Sequence, residues 1–137
     1  MDYIEWNESL NVEIDKFNKQ HKELIEITNR LFQSFLENRL EEIEKNFLNL
    51  IEHSKLHFAE EEKWMLQYEY PHYQNHKKVH ESLLNQILYH YNKYKKGEFS
   101  LNLHSFIFFK HWLVDHIISD DKKYGEFFRS KGISNKN

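Results

Sequence analysis

The sequence predicts an all-α fold, an antiparallel up-down-up-down four-helix bundle with an N-terminal extended arm, on three observations. Apolar side chains recur every three or four residues through four long stretches. Three Gly and one Pro are too few for the many turns of a β protein. The polar breaks between the stretches are short, which makes successive helices antiparallel neighbours. At 137 residues the chain is expected to form one domain over 1–137, with the arm over 1–17 and a polar tail over 130–137.

The arm is anchored by Trp6, Val12, Ile14 and Phe17, and Asn18 stands where it can cap the helix that follows. In that helix His21, Leu24, Ile25, Thr28, Leu31, Phe32 and Phe35 form one stripe, which runs to about Glu37 before a turn at Asn38-Arg39. The second helix spans roughly Leu40 to Leu66 and turns Ile43, Phe47, Leu50, Ser54, His57, Glu61 and Met65 inward. Pro71 breaks the chain, because proline pushes its predecessor out of helical geometry. The third helix runs from about His72 to Lys95, with His76, His80, Leu83 and Ile87 on one side and Gly97 as a left-handed cap. The fourth covers about Leu101 to Ile118 with Phe106, Phe109, Leu113, His116 and Ile117 inward, and a polar break at Ser119–Lys122 is expected to end it.

Composition removes several function classes. The net charge of −3 is spread along the chain, with no basic stripe for nucleic acid and no acidic tail for a charged partner. The first residues carry no apolar run of the signal-peptide kind, and no stretch reaches membrane-spanning length. The absence of Cys excludes disulfides, zinc fingers and iron–sulfur clusters together. A cytoplasmic location and a monomeric state are expected.

The inward stripes nevertheless carry ionisable groups. On a helix, residues four apart lie only about 40° apart around the axis, so His57 projects beside Glu61 and His76 beside His80. His21 and His116 occupy the stripes of the first and fourth helices. Such groups rarely occupy a core unless something compensates their burial. A cation does so for a carboxylate and takes neutral imidazole as a ligand directly, which points to a metal site inside the bundle. The fourth helix needs one carboxylate. Asp120, four residues past His116, shares its face, whereas Asp121, five past, lies about 140° around an ideal helix.

At this point the chain resembles the hemerythrin family, in particular its single-domain bacterial members. The matching segments are Gln-His-Lys-Glu-Leu around His21, His57-Phe-Ala-Glu-Glu-Lys-Trp-Met, Tyr-Pro followed by His76-x-x-x-His80, and Trp112 to Tyr124. The resemblance implies a non-haem di-iron centre that binds molecular oxygen reversibly, for transport, storage or scavenging, without catalytic turnover. It assigns His76, His80 and His116 to one iron and His21 and His57 to the other. Glu61, Asp121 and an oxo or hydroxo group would bridge the two, so the family pattern favours Asp121 against the helical count. It implies an oxygen pocket lined by Leu24, Phe58, Trp112, Leu113 and Ile117, with Met65 and Tyr124 just outside the ligands. One departure is visible: the family usually has Asp three residues before its first ligand histidine, and this chain has Asn18.

Other readings remain open. A di-iron enzyme of the peroxidase or nitric oxide reductase type would use a wetter pocket, and an oxygen-sensor module would need a partner. Ferritin-like oxidases need two Glu-x-x-His repeats, and the one such spacing here, Glu69 to His72, is interrupted by Pro71. His53, His72, His90, His104 and His111 read as surface or capping residues, and Trp64 as packing.

Overall fold

Four amphipathic helical runs meet on their apolar faces in the computed structural model, which describes residues 3–97 and 101–133. The first three are α1 (Asp15–Leu36), α2 (Leu40–Gln67) and α3 (Tyr73–Lys95). The fourth combines α4 (Leu103–His116), a π-helical turn (Ile117–Asp121) and α5 (Lys122–Ser130) without interruption. The result is an all-α four-helix bundle with no strand among the described residues. Its centre is aromatic: Phe17, Phe47, Phe106, Phe109, Tyr124 and Phe128 are fully buried.

The connections follow from local chemistry. Asn38 closes α1 in the left-handed region at φ 54°, a conformation asparagine tolerates better than most residues, and Arg39 N–H bonds back to the Ser34 carbonyl at 3.0 Å. Gly97 takes φ 73° after α3 as its type predicts. Asn102 caps α4 reciprocally with Ser105: each side chain accepts from the other's backbone N–H at 3.1 Å.

The arm is shorter than its sequence predicts. It contains a 3-10 turn at Glu8–Leu10, and α1 already begins at Asp15. Asn18 therefore lies inside the helix and does not cap it. Its Oδ1 accepts from Val12 N–H at 3.0 Å while its Nδ2 donates to Asn11 Oδ1 at 2.8 Å, tying the arm to α1. Ile4 and Leu10 are buried beside the expected anchors Val12, Ile14 and Phe17, whereas Trp6 is only half-buried beneath the Lys22 ammonium. Gly125 on α5 lets the arm approach closely, since a Cβ there would stand 2.0 Å from the Val12 carbonyl oxygen.

The expected break at Ser119–Lys122 does not occur. Instead the helix widens: Lys122 N–H bonds to the Ile117 carbonyl five residues back, the closure of a π turn. Of the polar tail, residues 134–137 lie outside the described residues, and 131–133 follow α5 as a turn and bend.

Candidate metal centre

The π turn decides the fourth helix's carboxylate. Closing the ring over five residues brings position i+5 above position i, so Asp121 shares the inward face with His116 and is fully buried. Asp120 is turned toward the edge, with its side chain 31% exposed, and its Oδ2 accepts from His116 Nδ1 at 3.1 Å. The two aspartates thus divide the roles that an ideal helix makes them compete for.

Around Asp121 the bundle gathers side chains from all four helical runs. His21 from α1, His57 and Glu61 from α2, His76 and His80 from α3, and His116 from α4 are all buried. Each carboxylate divides its two oxygens between two sets of imidazoles. Glu61 Oε1 faces His80 Nε2 at 3.2 Å, while its Oε2 faces His57 at 3.1 Å and His21 at 3.4 Å. Asp121 Oδ1 faces His76 and His116, both at 3.0 Å, while its Oδ2 faces His21 at 3.1 Å. Two donor groups result: His76, His80 and His116 with both carboxylates, and His21 and His57 with the same two.

These approaches are close, yet none of the five Nε2 atoms has a hydrogen bond of acceptable direction, and Glu61 Oε1 and both Asp121 oxygens are likewise buried without one. Buried polar atoms in native folds are satisfied. Here the lone pairs converge on shared space. Neighbouring donors around an octahedral ion with bonds of about 2.1 Å lie about 3.0 Å apart, close to the separations present. Imidazole with carboxylate suits iron, zinc, copper or nickel. The residues form two groups, each able to hold a metal ion.

Electrostatics point the same way. Burial alone would lower His21 and His116, but Asp121 and Glu61 outweigh it and hold His21 up at about 9, and Asp121, Asp120 and Glu61 hold His116 up at about 10. Burial works to raise Glu61, and Asp121 feels both burial and Glu61, but the surrounding imidazoles keep both carboxyls well below their usual range. Without a metal, the two buried carboxylates draw protons onto His21, His80 and His116; a metal ion supplies the same compensation.

Outer partners orient several of these imidazoles, as second contacts in metal sites commonly do. His57 Nδ1 meets Gln20 Oε1 at 2.5 Å and His80 Nδ1 meets Glu62 Oε2 at 2.7 Å. With Asp120 on His116, these contacts set the Nδ1–H outward and the Nε2 lone pair inward. Gln20 and Glu62 lie on no inward stripe of the sequence and stand there only as neighbours of His21 and Glu61 within the family-matching segments. Tyr124 donates to Glu61 Oε2. Burial and the nearby carboxylates raise its phenol well above the usual value, so it keeps its proton.

Leu24, Phe58, Trp112, Leu113 and Ile117 are all buried, and Met65 is fully enclosed one turn beyond Glu61. The Phe58 ring stacks on His80 with centroids 4.1 Å apart, and Trp112 is pinned by its indole N–H to the Leu83 carbonyl at 2.9 Å. Two cavities flank the cluster, one of about 320 Å³ beside His57 and Leu24, the other of about 340 Å³ beside His76 and Asp120. Of the remaining histidines, His53, His72, His104 and His111 are exposed and none joins the cluster; His90 is half-buried, its Nδ1 against the Gln86 carbonyl. Trp64 packs on Phe17, Tyr68 and Phe128.

Comparison with known proteins gives a consistent picture. A family model described as the hemerythrin HHE cation binding domain matches residues 12–128. A bacteriohemerythrin of Stenotrophomonas maltophilia is 28% identical over 127 residues, 92% of this chain and 82% of that protein. One of Methylococcus capsulatus is 32% identical over 106 residues, covering 77% and 81% respectively. A hemerythrin of Sipunculus nudus is 29% identical over 119 residues, 87% of this chain and 88% of that protein. A wild-type hemerythrin crystal structure superposes with a TM-score of 0.85 at 28% identity, over 90% of this chain and 96% of that one.

Proposed function

Because this chain belongs to the hemerythrin family, we propose that it binds molecular oxygen reversibly at a di-iron centre held by His21, His57, Glu61, His76, His80, His116 and Asp121. The observation that carries the reading is the division of each carboxylate's two oxygens between a three-histidine and a two-histidine set. A pair of ferrous ions bridged by Glu61, Asp121 and an oxo or hydroxo group would supply the two electrons that reversible oxygen uptake draws on.

The protein's own part is to position and to exclude. Gln20, Glu62 and Asp120 hold three imidazoles in the tautomer that directs Nε2 inward. Tyr124 fixes Glu61 through a hydrogen bond without giving up its proton. Leu24, Phe58, Trp112, Leu113 and Ile117, all buried, are assigned as the apolar lining of the oxygen pocket, which would offer no general acid and would keep out water and charged reductants. The two-histidine set has one fewer protein donor, so the small ligand is assigned to that side. We assign the protein a binding role, as a monomeric cytoplasmic oxygen carrier, store or scavenger, and not an enzymatic one.

The test is an iron assay combined with oxygen cycling. Two irons per chain, one oxygen per two irons, and a visible absorption that fades under argon and returns in air are expected. Absorption that never returns, or steady peroxide or nitric oxide consumption with an electron donor, would favour the enzymatic reading instead.

A further inference from the structure

We infer that the two metal positions are unequal, that the three-histidine position fills first and empties last, and that a one-metal form of this chain is a stable species. The inference rests on the di-metal reading and deepens it.

Two observations carry it. The first is the donor count, three imidazoles and two carboxylates on one side against two imidazoles and the same carboxylates on the other. The second is how the ligands are held from behind. In the three-histidine set, His80 and His116 each set Nδ1 against a carboxylate, Glu62 at 2.7 Å and Asp120 at 3.1 Å. A carboxylate behind an imidazole raises its basicity as well as fixing its orientation. In the two-histidine set, His57 meets only the neutral amide of Gln20, and His21 Nδ1 is buried with no hydrogen-bond partner. Asn18, one turn before His21, is engaged with Val12 and Asn11 and is committed to the arm. The weaker position therefore lacks one ligand and has no charged support behind either of the two it keeps.

The consequence is regulatory. The small ligand is assigned to the two-histidine side, so oxygen binding depends on the second, weaker ion. The half-loaded protein retains the fold and one metal but lacks the function, and activity follows the supply of the second ion.

The test titrates metal-free protein with Co(II) under argon and counts ions per chain by native mass spectrometry, with a competing chelator to rank the two affinities. At one equivalent the one-metal form should dominate, and the two affinities should differ by at least about tenfold, the lower end of what an outer partner contributes. His21→Ala should still bind one ion with the first affinity nearly unchanged. Gln20→Glu, which puts a carboxylate behind His57, should narrow the gap. Only empty and two-metal species at one equivalent would overturn the inference in the unmodified chain, with no reliance on a variant's folding. Retention of one ion by His76→Ala but not by His21→Ala would overturn the order. Saturation below two ions would instead remove the di-metal reading beneath it.

Discussion

Replacing Asp120 and Asp121 separately by alanine measures what the π turn does. Asp121 is fully buried, and its two oxygens stand 3.0 Å from His76 and His116 and 3.1 Å from His21. Asp121→Ala takes one anionic donor from each set at once, leaving four protein donors where there were five and three where there were four. Asp120 offers only an outer contact, to His116 Nδ1 at 3.1 Å, from a side chain that is 31% exposed. Losing such a partner costs about 10- to 100-fold in metal affinity, or roughly 1.4–2.8 kcal/mol. Asp120→Ala should therefore be purified with close to two irons and release them to a weaker chelator than the parent does. Asp121→Ala, with one donor fewer in each set, should lose iron from both positions at chelator strengths that leave Asp120→Ala loaded. Iron per chain against chelator concentration, with circular dichroism to verify the fold, separates the cases. If Asp120→Ala lost both irons while Asp121→Ala kept them, the π-turn assignment would be refuted.

Three further perturbations probe the surroundings. Gly125→Ala would set a Cβ 2.0 Å from the Val12 carbonyl oxygen; relief of that overlap should cost about 1–3 kcal/mol and lower the melting temperature by roughly 3–10 °C, and an unchanged melt would disprove the close arm contact. Tyr124→Phe removes the donor to Glu61, so it should weaken iron retention by about 1.5–3 kcal/mol in a chelator titration, and unaltered retention would count against the contact. Stability of the metal-free protein should fall with rising pH: His21 and His116 are raised from 6.5 to about 9 and about 10, so their contribution is complete below pH 6.5 and lost as pH climbs through 9 to 10. Urea midpoints from pH 7 to 10 test this; a rise with pH would contradict that charge balance.

The helices were readable because burial at 3.6-residue spacing leaves a direct mark on the chain. Ile43, Phe47, Leu50, Ser54, His57, Glu61 and Met65 are all buried as that spacing predicts. Six of the seven proposed ligands lie on such stripes. Asp121 does not, since a π turn is a one-residue change in backbone hydrogen bonding that side-chain identity scarcely records, and only family resemblance favours it from sequence. Asn18 shows the opposite failure. Its type suits a cap, but the buried Val12 and Ile14 fix the arm's path, and the helix starts before Asn18 is reached. Gln20 and Glu62 were hidden because a contact behind a ligand depends on where two helices place their backbones, and spacing along one helix does not carry that information.

Diffraction from crystals of the iron-loaded protein, recorded at the iron absorption edge, tests the central claim most directly. Two anomalous peaks are predicted, one against His76, His80 and His116 and one against His21 and His57, with Glu61 and Asp121 touching both. A single peak at saturating iron, or peaks in the cavities beside His53 or His72 and not within the cluster, would contradict it.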